Sequence, residues 1–506
     1  MANFITQWWD DSITRFAQSV AQYIQDPLNA RYGILANYYT GDHRPQLKRK
    51  DGQPDENIIQ NFIGLAVDRS VSRLYRGGVK FVLPEGAEAQ QEYIDKVWDL
   101  NKKEIILYQV GLHGADFGTC FFEVMPEQIS DPIKGGNVYY PRLVALYPPV
   151  VRIITNPQDV EQVLEYRLEY KVVHEGKEIA YRKIVRRAND GEGIEQMDGS
   201  MLSSYWRVTF EVKEGAQQWQ MVSDIPWLYD FPPIIHWKNL PSLNSVLGDS
   251  DIDDAINIQD KSNFTVSNTG KIIKYHASPT TIVSGVAADG IKPVDKSPNA
   301  MFAIPNPDAK VYNLELQSDL ASSRAFYLDL QQSIFDIARE VNPSSISDKL
   351  GSLTNFAVRV MFNDALDKND TKRQLYGDAL KELNRRILVL AGYLGEQSDP
   401  GSIQWGEAMP TNVVEDIQAD KALIDLRLVD RQTVYERYKS RFGLEWEEVK
   451  ERLEEEKDER EENQERIFGN GAGPDQRSGA DEGGQDNGED EEGDERPVAE
   501  RLGGRR

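Results

Sequence analysis

The sequence predicts an α+β protein, mainly helical, with an antiparallel β-rich region set between helical parts. Three observations carry this. Residues 117–237 break into short runs in which β-branched and aromatic side chains alternate with polar ones, punctuated by Gly, Asn and Asp. On either side, as in residues 57–75 and 355–394, apolar residues recur at three- and four-residue spacing. Five prolines between Pro279 and Pro307 divide two further helical stretches and forbid a long helix between them.

Taken in order, the first 115 residues read as mainly helical. Residues 57–75 place Ile58, Phe62, Leu65, Val67, Val71 and Leu74 close to one helical face and stop at Gly77-Gly78. Strands are expected at 119–125, 141–147, 150–155, 162–173, 178–187, 205–212 and 232–237. Gly248-Asp249-Ser250 then leads into a helix of about 25 residues, roughly 38 Å long. Ser250 with Asp253 reads as a capping-box-like start, with carboxylates where the helix dipole favours them. The proline-rich insert reads as a compact strand-and-turn unit. Helix resumes near Asp319 and ends at Asn342-Pro343, ahead of a polar loop.

A long proline-free helix is expected over 355–394. There Tyr376, Leu380, Leu383, Ile387, Leu390 and Leu394 form one apolar face, and only Gly377 and Gly392 interrupt. Two short helices follow, the second with Asp430 as N-cap and Gly443 as its stop, and then a highly charged helix over 446–466. Residues 469–506 hold ten Gly, eleven Asp or Glu and five Arg. Such a segment cannot bury enough apolar surface to offset its ordering entropy, so disorder is expected.

Composition limits function. The chain has 506 residues, room for roughly three domains. Its 83 acidic and 58 basic residues give a net charge of −25. A protein that grips nucleic acid by neutralising phosphates needs a basic excess instead. One cysteine excludes an intrachain disulfide and any CxxC metal site, and the five histidines stand far apart without HExxH. The N-terminus lacks a signal-peptide pattern, and no apolar run is long enough to span a membrane; a soluble, cytoplasmic chain is expected.

Catalytic motifs are also missing. Thr269-Gly270-Lys271 lacks the spacing of a Walker A loop, and there is no GxGxxG or GxSxG. Asp251, Asp253 and Asp254 could in principle bind Mg²⁺, but a helix N-terminus accounts for them. Cys120, with His113 seven residues before it and Asp116 between, reads as a buried structural thiol. No catalytic residue, metal ligand or cofactor is expected. A nuclease or ATPase is therefore set aside.

Several motifs in order carry a resemblance. They are Asn37-Tyr38-Tyr39-Thr40-Gly41-Asp42-His43; Asn57 and Asn61 opening a helix; and Tyr75-Arg76-Gly77-Gly78-Val79-Lys80-Phe81. Pro233-Ile234-Ile235-His236-Trp237-Lys238-Asn239 follows, then Gly248-Asp249-Ser250-Asp251-Ile252. Residues 334–341 run into Asn342-Pro343, with Ala357 twelve residues after Ser345. Last come Trp405, Pro410, Leu428 and the run 430–443 into an acidic helix. Over about residues 30–465 this order resembles the portal proteins of tailed double-stranded DNA phages, the type of long-tailed phages of Gram-positive hosts. One departure is Thr354-Asn355-Phe356, where that family commonly has Ser-Gly.

The resemblance implies a portal fold and a homo-oligomeric ring, usually of twelve, at one capsid vertex. Residues 1–247 and the 355–404 helix would form the wing, 248–276 and 318–341 the stem, and 277–317 a small α/β clip. A tunnel loop over 342–354, a helical crown over 405–468 and the acidic tail 469–506 complete it. The ring would pass double-stranded DNA in packaging and ejection. The terminase large subunit would dock first, then the head-tail adaptor, with major capsid and scaffolding proteins as further partners. The location implied is the virion, and the host cytoplasm during assembly. Lys261, Lys271, Lys274 and His276 of the first stem helix, with Ser347, Lys349 and Ser352 of the loop, are the candidates to face DNA. Each lysine serves equally well in an ion pair. An acidic channel lets the duplex slide. The alternative is another head or tail structural protein, a minor capsid or baseplate component.

Overall fold

The structure, a computed structural model, describes residues 28–48, 55–130, 139–174, 176–188, 204–215, 217–243, 245–277, 280–284, 310–314, 320–342, 355–409, 413–442 and 446–455, with isolated positions at 194–195, 199, 201–202 and 457. The chain divides into two compact units, Met1–Thr411 and Asn412–Arg506.

In the first unit the opening elements are α1 (28–40), α2 (Phe62–Leu74), β1 (Val79–Val82), α3 (Glu88–Leu100) and α4 (Lys103–Phe117). The strands follow as β2 (Thr119–Ser130), β3 (Tyr139–Ala145), β4 (Val151–Asn156), β5 (Asp159–His174) and β6 (Lys177–Ala188). Next come the short pair β7 (Ile194–Glu195) and β8 (Met201–Leu202), then β9 (Tyr205–Glu214), β10 (Gln220–Trp227) and β11 (Ile234–Lys238). Every expected strand is present. β10, whose sequence carries Ser, Asp and Pro, was not anticipated.

The strands form antiparallel sheets, the two largest ordered β10-β9-β6-β5-β4 and β11-β2-β3. β2 lies between two cores. Successive side chains of a strand point to opposite faces. Accordingly Cys120, Phe122 and Val124 join one core with Trp98, Leu107 and Val110. Phe121 joins the other, with Val151, Tyr166, Val185 and Trp206. A strand buried on both faces reads as a continuous apolar run, which is why residues 119–124 barely alternate.

The remaining elements are the long α5 (Ile256–Ala277), β12 (Thr280–Ser284), β13 (Lys310–Leu314), α6 (Leu320–Ile337), α7 (Asn355–Met361), α8 (Asn363–Leu390) and β14 (Ser402–Trp405). α5 and α6 pack together, and β12 pairs antiparallel with β13 at the two ends of the proline-rich insert. The rest of the insert lies outside the described residues, as do residues 343–354 and the acidic tail. Trp405 ends a strand paired with β1. The second unit contains α9 (Val413–Asp425), α10 (Arg431–Phe442) and α11 (446–455). Asp430 caps α10 by accepting from the Thr433 amide at 3.3 Å. Gly443 lies outside the described residues.

Three expectations need correction. Residues 57–61 are not helical, and α2 begins at Phe62 because Asn61 accepts the Gly64 amide at 2.8 Å. Asn57 instead receives the amides of Gln46 and Leu47 at 2.9 and 2.7 Å. The helix after Gly248 starts at Ile256, behind a 3-10 turn at Asp253–Ala255, and Ser250 accepts from the Ile252 amide without forming a capping box. The long helix over 355–394 is two: Phe362 separates α7 from α8. α8 stops at Leu390, where Gly392 takes φ +90° and the Tyr393 amide returns to the Leu388 carbonyl, a Schellman ending.

Candidate coupling centre between the long helices

Two glycines set the geometry. Gly118 ends α4 in the left-handed region at φ +84°. Its would-be Cβ stands 2.4 Å from the Gly248 carbonyl oxygen, and that of Gly248 2.3 Å from the Gly118 oxygen. Only two residues without Cβ allow the backbones so close. The approach seats the turn before α5 on the end of α4. Ser250 Oγ and the Asp251 amide both donate to the Ala115 carbonyl, at 3.1 and 2.9 Å. The Asp251 carboxylate is thereby turned into the protein, its side chain 1 % exposed.

Around it gathers a cluster of charges drawn from elements far apart in sequence. Lys372 of α8 donates to Asp251 at 2.5 Å and to Ser70 Oγ of α2 at 3.0 Å. Ser70 Oγ and Asn239 Nδ2 donate to Asp251 at 2.7 and 2.9 Å. One turn earlier in α8, Lys368 Nζ lies 3.4 Å from Asp251, 3.2 Å from Glu340 and 2.6 Å from the Ala338 carbonyl oxygen. Glu340, just past the end of α6, closes the cluster as a bidentate partner of Arg73, at 2.8 and 2.6 Å. The chain of polar contacts continues through the Tyr376 hydroxyl, which donates to Asn239 Oδ1 at 3.0 Å and accepts from Cys120 Sγ at 3.2 Å.

The ionisation states follow from this packing. Burial pushes Asp251 up, but the Lys368 and Lys372 charges and the hydrogen bonds from Lys372 and Ser70 outweigh it and hold the carboxyl below its ordinary range. Burial draws Lys372 below the usual ammonium range, with Asp251 pulling the other way. Cys120 is pushed up to about 12 by burial, so it stays a thiol and an inert core residue. The centre can bind helices to one another. It offers no open coordination position, and among the described residues no group of three or more His, Cys, Asp or Glu side chains could hold a metal. Asp253 pairs with Arg31 at 2.7 Å.

The DNA-facing candidates fall in three places. Lys261 is exposed on α5, its ammonium 5.1 Å from the Phe264 ring centroid. Lys274 and Lys271 converge on Glu56, at 2.7 and 4.0 Å. The side chain of His276 lies outside the described residues, as do Ser347, Lys349 and Ser352 altogether. The sequence reading passed over Arg73, Glu340, Lys368 and Lys372. A signal was available: stepping back by four from Leu380 gives Tyr376, Lys372 and Lys368, so the apolar stripe of α8 continues inward as lysines.

Among the described residues no helix is long and apolar enough to cross a membrane. No curated protein matches the chain. One family does, described as phage portal protein, SPP1 Gp6-like, and the match runs over residues 22–465. It takes in every element from α1 to α11, including the glycine-paired turn and both long helices that meet at the charge cluster. The chain belongs to the SPP1 Gp6-like family of phage portal proteins.

Proposed function

We propose that copies of this chain close into a ring of twelve at one vertex of the capsid, and that double-stranded DNA enters and leaves through its channel. The unbroken family match over residues 22–465 carries this reading. The outer faces of α5 and α6 support it. Phe264 and Ile273 on α5, and Phe326, Leu328 and Ile337 on α6, are between 36 and 52 % exposed. Exposed charges accompany them, Lys261 on α5 and Arg324, Asp329 and Asp336 on α6. Exposed apolar side chains on both helices leave area for a neighbouring copy to cover, and head-to-tail contact between copies closes into rings.

In this reading residues 248–276 and 318–341 are the stem, 277–317 the clip, 342–354 the tunnel loop, 405–468 the crown, and 1–247 with 355–404 the wing. The clip receives the terminase large subunit and then the head-tail adaptor, while major capsid and scaffolding proteins meet the body during assembly in the host cytoplasm. Lys261, Lys271, Lys274, Ser347, Lys349 and Ser352 face the duplex. The net charge of −25 keeps phosphate from being gripped, so DNA slides. Native mass spectrometry with negative-stain imaging tests the ring. Twelve copies of 57.5 kDa give a species of about 690 kDa with a central hole. A monomer or dimer at every concentration and salt tried would overturn it.

A further inference from the structure

The chain leaves α6 in a way that needs explaining. Arg339 takes φ +51°, a left-handed conformation that non-glycine residues rarely adopt. The Glu340 amide returns to the Phe335 carbonyl at 2.8 Å and the Arg339 amide to Asp336 at 3.1 Å, a Schellman turn with arginine where glycine is usual. Local preference does not hold this turn. Buried contacts do, and they come from two other helices.

From α2, Arg73 grips both oxygens of Glu340, while Arg69 donates to the Val341 carbonyl at 3.4 Å and lies over the Phe335 ring at 5.3 Å. From α8, Lys368 donates to Ala338 O, a carbonyl left free by the end of α6, where a cation is favoured. Arg73 reaches a second place as well: its guanidinium carbon is 5.8 Å from the centroid of Phe362, the residue at the break between α7 and α8. One arginine thus touches the exit from α6 and the joint beyond α7. Lys368 ties the same exit to Asp251 at the foot of α5.

We propose that Arg73 and Lys368 form an ionic staple whose work is positional: it fixes the exit turn of α6 against the foot of α5 and the α7–α8 joint. Bending is thereby excluded at residues 338–342, and the direction in which the chain departs from α6 is set by α2 and α8. Charges suit this better than apolar packing. A buried ion pair adds little net stability over apolar residues of equal volume, yet its partners are satisfied only in one geometry. The staple exists whether or not the chain is a portal; its bearing on DNA passage rests on the portal reading.

Hydrogen exchange on the full-length protein tests it, with two variants. Arg73→Met with Glu340→Leu removes a cation and an anion together, leaving the charge of the cluster unchanged. Lys368→Met leaves Arg73–Glu340 and Lys372–Asp251 as two neutral pairs. Both are expected to speed exchange of the 338–342 amides, and of the Phe362 amide, at least tenfold. Exchange over 376–388 of α8 and the thermal midpoint should hold. Should the double variant unfold, Lys368→Met decides alone. Exchange at 338–342 matching wild type, or faster exchange spread evenly through α2 and α8, would overturn the proposal, because the cluster would then be ordinary core. Native mass spectrometry on the same wild-type sample reports the ring separately, so failure of the portal reading is not confused with failure of the staple.

Discussion

Replacing Asp251 by asparagine probes the centre of the charge cluster while keeping its shape. The amide still accepts from Asn239 or Ser70, but Lys368 and Lys372 lose their shared counter-ion. Glu340 is then the one remaining carboxylate for Arg73, Lys368 and Lys372. Removing one member of a buried ion pair costs about 3–5 kcal/mol, because the other charge stays desolvated. Asp251→Asn should fall in that range near pH 7. Asp251→Asn with Lys372→Met removes the pair together and should recover about 2–3 kcal/mol, a coupling typical of touching residues.

The pH dependence has a definite sign. Lys372 is held below the ordinary ammonium range by burial. Between its folded and unfolded values the unfolded chain binds more protons, so stability rises with pH. With Asp251 gone the depression deepens, and Asp251→Asn should gain on wild type as pH rises from neutral toward the ordinary lysine range. Toward acid the difference shrinks as well: the folded Asp251 carboxyl is depressed, so the wild-type advantage is present above pH ~4 and fades as pH falls below it. Urea unfolding at fixed protein concentration, read by tryptophan fluorescence, measures all three proteins. A loss below about 1 kcal/mol for Asp251→Asn, or strict additivity in the double variant, would refute the picture of one coupled cluster.

Three further outcomes are expected. Asp116 is pushed up to about 7 by burial, so stability declines as pH rises from about 4 to 7; Asp116→Asn should erase up to about 4 kcal/mol of that slope in a pH series of unfolding curves. Gly118→Ala should destabilise by more than 1 kcal/mol, since φ is +84° and the new Cβ meets the Gly248 oxygen at 2.4 Å; thermal unfolding reads it directly. Deleting residues 345–352 should leave rings intact and impair DNA filling or retention; a normal yield of filled heads would sink that expectation.

How legible this was depends on which force set each part. Strands and the α8 stripe were readable because burial imposes a period, and Leu380, Leu383 and Ile387 keep it. β10 was missed because as an edge strand it leaves Met221, Val222 and Ile225 exposed and shows no clean alternation. The non-helical stretch 57–61 looked helical because Ile58 and Phe62 happen to fall four apart, while the partners that take its Ile58 and Gln60 amides lie some 200 residues away. The Gly248 turn was located, and its reason was not: the need for glycine comes from a backbone at Gly118 that sequence does not bring near. The charge cluster was least visible, since lysines on a helix are solvated by default.

Helix α5 shows the same logic in neutral form. The buried face of α5 carries Gln259, Asn263 and Ser267, spaced by four, where an apolar stripe would serve packing equally well. Each side chain instead accepts a backbone amide from the segment that enters α2: Phe62, the first residue of that helix, Gln60 and Ile58, at 3.2, 3.1 and 2.8 Å. Four residues of helix rise about 6 Å, and two of an extended chain about 6.8 Å, so the repeats nearly match. A shift of one residue would leave the Ile58 and Gln60 amides unpaired, each costing about 1–3 kcal/mol when buried, while the Phe62 amide keeps the Gln60 carbonyl at 3.2 Å. An apolar face would tolerate the shift. The long helix is therefore locked to the body at both ends of its contact, by hydrogen bonds along its length and by Asp251 at its foot. Partners that accept one position only fix the register of this helix in a way an apolar face would not.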